Sequence, residues 1–197
     1  MVGFFVTERP GNEEAEAQIV EPNAFACPGG IILITRGLLK LCADEDELAA
    51  ALAHEVAHVA HRDGINSIVK SRWAEVAAER RIAAAKERGG RPARLATLFE
   101  GSINDVFQSI ATNGYSRTAE WAADQEALRT LSRAGYNPEA LASLLTKMLA
   151  QEKRQVGIYR THPPTALRLA KVKVQIKDLK PDPKQKMRAQ RFQEQKI

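Results

Sequence analysis

Residues 47–64 read "ELAAALAHEVAHVAHRDG" and hold three of the chain's four histidines, spaced four and then three residues apart. Leu48, Leu52, Val56 and Val59 recur at helical spacing through the stretch. Asp44 can cap this helix with Glu47 three positions on, the acids of "DEDE" suit the positive end of its dipole, and Gly64 follows the last turn. On such a helix His54 and His58 lie one turn apart on one face, so two imidazole nitrogens can reach one Zn²⁺ at about 2 Å. Glu55 is carried beside them, where it can take a proton from a zinc-bound water. This is the H-E-x-x-H pattern, here "HEVAH", the zinc-hydrolase signature with glutamate as general base.

The pentapeptide arises by accident in about one chain of this size in two hundred, so the rest of the chain must supply a third ligand. His61 sits seven residues from His54, about 10 Å along a straight helix, too far for one ion to bind both. The longer signature with a glycine three residues after the second histidine and a further histidine three beyond fails as well, because those positions are His61 and Gly64. His61 therefore reads as a solvent-side or supporting residue. Cys27 and Cys42 lack the flanking residues of a cysteine-ligated site and read as packed thiols. Two cysteines are also too few for a disulfide scaffold. Glu120, in "SRTAEWAAD", is the candidate carboxylate ligand: Ala119, Ala122 and Ala123 would let its helix approach the histidine helix closely. Asp124, one turn on, can accept the other ring N–H of His54. On residues alone, both acids suit equally well a solvated face paired with Arg117.

Around this centre the chain reads as α+β, mainly α. "GFFV", "AQIV" and "IILIT" suggest a small N-terminal antiparallel sheet of about three strands, punctuated by "RPGNEE" and "PGG". About six helices follow. After the histidine helix, one runs from about Ile65 to Arg88, another covers about 93–111, a third has Ser116 as cap and Gly135 as stop, and a fourth starts at Asn137-Pro138. "THPPT" interrupts before a last helix capped by Thr165. The biased stretch "RRIAAAKERGGRPAR" is the candidate mobile flap over the cleft. The domain reading is 1–177 for the catalytic unit and 178–197 for a mobile basic tail.

Composition excludes little and charge is uneven. The chain has 197 residues, 44% hydrophobic and 27% charged, with a net charge of +5. Residues 171–197 carry nine Lys or Arg against Asp178, Asp182 and Glu194, which leaves 1–170 at about −1. Only Phe192 could stack on a base, so no specific nucleic acid is expected; peripheral contact with an anionic membrane is left open. No apolar run long enough to span a bilayer occurs, and the start lacks the features of a signal peptide.

Four blocks in order, "EPNAFACPGGIILITRGLL", "DELAAALAHEVAHVAHRDG", "YSRTAEWAAD" and "THPPTALRL", resemble the zinc metallopeptidases of the HtpX and CAAX-prenyl-protease type (peptidase family M48, gluzincins) over roughly residues 20–170. The resemblance implies a zincin-like fold, one zinc held by His54, His58 and Glu120, Glu55 as catalytic base, and Asp124 steadying His54. It implies that His162 of "THPPT" stabilises the tetrahedral intermediate or gates the metal. It also implies that an extended polypeptide substrate lies along Ile31–Ile34. Without transmembrane helices the chain looks like the soluble branch of bacterial envelopes, which makes the periplasm or envelope the expected location. The expected function is hydrolysis of unfolded or misfolded proteins. The rival readings are a zinc-bearing holder with little turnover and a binder that works through the basic tail.

Overall fold

The structure, a computed structural model, describes residues 3–6, 22–27, 29–67, 69–70, 73, 114–150, 161–162, 166–177 and 184–195. These form strands β1 (Gly3–Val6), β2 (Ala24–Cys27) and β3 (Ile31–Ile34). They also form helices α1 (Arg36–Leu41), α2 (Glu45–His61), α3 (Arg117–Ala134), α4 (Glu139–Ala150), α5 (Ala166–Ile176) and α6 (Gln185–Gln195). The mainly helical α+β reading holds. The expected "AQIV" strand, the helix at 93–111, the flap, and the Thr165 cap fall outside the described residues.

β2, a strand that the sequence reading does not assign, pairs antiparallel with β3, with Ala24 opposite Ile34 and Ala26 opposite Ile32. All four of these residues are buried, so one face of the pleat lies on the core. The "PGG" turn that joins them places Gly29 and Gly30 at φ of 93° and 88°, a region where a side chain would be strained. One expectation changes here. β1 runs parallel to β3, so the sheet is mixed rather than wholly antiparallel, in the order β1-β3-β2. Among the described residues β3 is thus the central strand, paired over all four residues on both sides.

Helix boundaries follow their caps. The Asp44 side chain accepts from the Glu47 amide at 2.8 Å, while Glu47 Oε2 accepts from the Ala43 amide at 2.7 Å. Ser116 and Gly135 bound α3 as expected, and Asn137 Oδ1 accepts the Glu139 amide at the start of α4. α2 instead ends before Gly64. Arg62 takes the left-handed conformation (φ 57°, ψ 33°) and its N–H closes on the His58 and Val59 carbonyls. The core joins Ile32, Leu38, Leu131, Leu141, Leu145 and Val172, and α2 has its broadest contact with α3. That contact is close because Ala50, Ala53 and Ala57 of α2 and Ala123 and Ala127 of α3 are all buried.

The basic tail departs from expectation as well. Its composition suggests a mobile end, yet it carries α6, which packs on α2. Its cations are not idle: Arg188 Nε and Nη2 donate to the fully buried Asp46 at 2.9 and 3.2 Å, and Arg191 pairs with Glu45. The acids that favour the N-terminus of α2 thereby also dock the C-terminal helix.

Candidate active site

The first two ligand candidates come from one face of α2. His54 Nε2 and His58 Nε2 lie 3.0 Å apart with their rings edge-on, and both residues are buried. Glu120 reaches them from the first turn of α3: its Oε2 is 3.4 Å from His54 Nε2 and its Oε1 is 3.5 Å from His58 Nε2. A tetrahedral ion with bonds of about 2.0–2.1 Å requires ligand atoms about 3.3 Å apart. The His54–His58 separation and the distance from each imidazole to its nearer Glu120 oxygen lie close to that value, so the donor set suits one small divalent ion. His162 completes a buried group whose four ligand atoms all lie within 4.8 Å of one another.

The outer contacts fix these rings. His54 Nδ1 lies 3.1 Å from Asp124 Oδ1, the partner expected for it. His58 Nδ1 makes the corresponding contact at 2.8 Å with Asp63 Oδ2, a residue that sequence reasoning missed. The left-handed Arg62 breaks the helix between His58 and Asp63, and Asp63 meets His58 from just beyond that break. His61 is at the rim, about one-third exposed, with Nδ1 3.8 Å from the same Asp63 oxygen. It lies outside the buried group.

Arg117 does not pair Glu120 and Asp124; it is exposed while both acids are buried. Their cation is Arg168 of α5, also missed. Its Nε and Nη2 donate to the two oxygens of Asp124 at 2.8 and 2.7 Å, and its Nη1 sits 2.5 Å from Glu120 Oε2. The latter contact is coulombic rather than an aligned hydrogen bond. Nη1 also reaches the His162 carbonyl at 3.4 Å. "TALRL" carried no spacing rule that could have pointed to this role.

The charges shift accordingly. Burial opposes an ionised Glu120, yet Arg168 and His162 outweigh it and hold the carboxyl well below its ordinary 4.5. Burial likewise opposes charge on Asp124, while Arg168 and His54 lower its pKa. For His54, burial disfavours the imidazolium, but Asp124 and Glu120 raise its pKa to about 10. The His58 imidazole is also raised, with burial opposing and Asp63 and Glu120 prevailing. Without a metal the pair therefore favours protons, and an ion that binds there must displace them.

Glu55 lies inside this group. Its Oε1 is 3.3 Å from His162 Nε2, while its Oε2 is buried without a hydrogen-bond partner. His162 bridges base and ligand, since its Nδ1 is 3.0 Å from Glu120 Oε1. Its place is set from the sheet: the neighbouring Thr161 donates to Asn23 Oδ1 at 3.2 Å, beside β2, and its carbonyl accepts the Tyr115 amide at 3.2 Å. Tyr115 stacks on His58 at 4.0 Å, its rings nearly parallel at 17°. Burial first, then the charges of Glu55 and Glu120, push its phenol far above the ordinary value. Cys42 is buried and Cys27 half-buried, and neither is in a disulfide; burial and then Glu55 push the Cys27 thiol up.

The sequence matches the model of peptidase family M48 over residues 7–176. The chain belongs to this family. Among M48-type relatives it is 31% identical over 155 residues to the mitochondrial metalloendopeptidase OMA1 of Schizosaccharomyces pombe, covering 77% of this chain and 42% of that one. It is 27% identical over 170 residues to the beta-barrel assembly-enhancing protease of Escherichia coli, covering 82% and 34%. It is 31% identical over 182 residues to a protease HtpX homolog of Salinibacter ruber, covering 77% and 63%. The chain thus spans between about a third and two-thirds of the length of these curated M48 relatives. No helix among the described residues is long and apolar enough to cross a membrane.

Proposed function

We propose that this chain is a zinc metalloendopeptidase that hydrolyses unfolded polypeptides. The observation that supports it best is the pairing of a three-residue ligand set at tetrahedral separations with Glu55, whose buried Oε2 lacks a partner beside it. Two histidines and one carboxylate suit zinc, and three protein ligands leave a position open. His54, His58 and Glu120 hold the ion, Asp124 and Asp63 fix the two imidazoles, and Arg168 holds both α3 carboxylates in place. When bound, zinc supplies a Lewis acid for the substrate carbonyl and lowers the pKa of water.

The chain's own groups do the rest. Glu55 Oε2 accepts the proton of the attacking water and returns it to the leaving amine. His162, held through Nδ1 by Glu120, presents Nε2 toward the same space and donates where negative charge develops on the carbonyl oxygen. The substrate lies along β2 rather than β3. Among the described residues β2 has one strand neighbour, α2 packs against it, and Glu55 acts electrostatically on Cys27 at its end. An extended peptide that pairs with that edge gains main-chain hydrogen bonds indifferent to sequence, which favours unfolded chains. A bacterial envelope setting belongs to this proposal and rests on the resemblance to the soluble envelope branch.

The test is Glu55→Gln with a fluorogenic unfolded protein as substrate. The variant is expected to keep one zinc per chain and lose nearly all turnover. Full activity in it would remove Glu55 from the chemistry, and zinc binding without turnover in the wild type would favour the holder reading.

A further inference from the structure

Five buried side-chain atoms near the site lack a hydrogen-bond partner: His54 Nδ1, Glu55 Oε2, Tyr115 Oη, Glu120 Oε2 and His162 Nε2. Four are accounted for. His54 Nδ1 and Glu120 Oε2 face charged groups at 3.1 and 2.5 Å, and Glu55 and His162 face each other and the reacting space. Tyr115 is different, because its hydroxyl is its only side-chain polar atom and nothing satisfies it. The residue is 5% exposed. A buried hydroxyl left unpaired costs stability, and a phenylalanine here would keep the stack without that cost.

The ring is held firmly. It is stacked on His58 and tilted at 5.3 Å against His162, whose own ring is 5.2 Å from His58, so the three rings are in mutual contact. Its backbone is fixed by the Thr161 carbonyl on one side and by the Ser116 cap of α3 on the other. A phenol is protonated at neutral pH and can donate. We infer that the Tyr115 hydroxyl is a catalytic hydrogen-bond donor, which with His162 receives the substrate carbonyl oxygen as it becomes tetrahedral and negatively charged. This rests on the hydrolytic reading above and adds a second donor to it. The two donors would come from different elements, one just before the Ser116 cap of α3 and one beside Thr161.

The experiment compares Tyr115→Phe with wild type and Glu55→Gln. For each, zinc affinity, Tm, kcat, KM and the affinity of the zinc-loaded protein for a phosphinic peptide, a tetrahedral anionic mimic, are measured. Tyr115→Phe is expected to bind zinc as wild type does and to melt at the same temperature or higher. Its kcat should fall by about 10²-fold with KM little changed, as for loss of one oxyanion donor, and the phosphinic peptide should bind more weakly. Wild-type turnover and phosphinate affinity in Tyr115→Phe would overturn the inference, as would a loss of activity explained by lost zinc or lowered Tm. If wild type and Glu55→Gln are equally inactive, it is the hydrolytic reading that fails. Phosphinate affinity then still decides the role of Tyr115.

Discussion

Replacing Arg168 with methionine removes the one cation that joins two buried carboxylates. In the native protein its guanidinium meets Asp124 with two hydrogen bonds and Glu120 with a close ionic contact, all three residues being buried. Breaking a buried pair by removing one partner costs about 3–5 kcal/mol, because the other charge is left uncompensated. At about 2–4 °C per kcal/mol for a chain of this size, Tm in metal-free protein should drop by about 6–20 °C at neutral pH. The pH dependence has a definite sign. Glu120 and Asp124 have folded pKa values below their ordinary 4.5 and 3.8, so their contribution is present above those values and is lost as pH falls through the lower, folded ones. Most of that contribution depends on Arg168. The gap between wild type and variant should therefore narrow as the pH falls below about 4. It should also narrow when zinc is added, since the ion gives Glu120 a second cationic partner. Thermal melts by circular dichroism, with chelator or zinc and across pH 3–8, would measure all three. A gap that is small at neutral pH, or constant with pH and metal, would refute the argument.

Asp63→Ala should weaken zinc binding by about 10–100-fold, the usual cost of losing an outer partner of a histidine ligand, without unfolding the protein. Competition against a chelator of known affinity would show this, and an unchanged constant would mean that the 2.8 Å contact to His58 does not orient the ring. Arg188→Ala removes both guanidinium hydrogen bonds from the fully buried Asp46, whose Oδ1 also accepts the Asn137 amide at 3.1 Å. It should destabilise by about 3–5 kcal/mol while zinc affinity stays the same. Arg191→Ala, at an exposed pair, should hardly move Tm; if the two variants melt alike, α6 is not docked through Asp46.

What the sequence revealed and what it hid divide along the length of the interactions. Asp44, Ser116, Gly135 and Asn137 could be assigned because a cap acts within three or four residues of itself. "HEVAH" was legible for the same reason, as one turn of helix relates its two ligands. Glu120 and Asp124 needed the resemblance, since an acid pair on a helix looks the same whether it faces water or a metal. The misses were non-local or conformational. Asp46 and Arg188 are 142 positions apart, and no local pattern says which of the nine cations of residues 171–197 will be buried. Strand order is set by β1, whose register with β3 cannot be read from alternation alone, and it leaves β2 at one edge of the sheet among the described residues.

Arg62 is the most instructive miss. Residue preference placed the stop of α2 at Gly64, the position that tolerates positive φ without strain. The structure puts a left-handed arginine two residues earlier, at a cost that glycine would avoid. Ending the helix there brings Asp63 back onto His58, whereas two more residues of helix would have carried Asp63 onward along the axis and away from the ring. Strain of this kind is worth maintaining only where the geometry it secures is used. The same holds for Tyr115, whose unpaired hydroxyl is a poor choice for folding and a useful one for chemistry. In both places local stability and the arrangement of the site favour different residues, and the chain carries the one that serves the site.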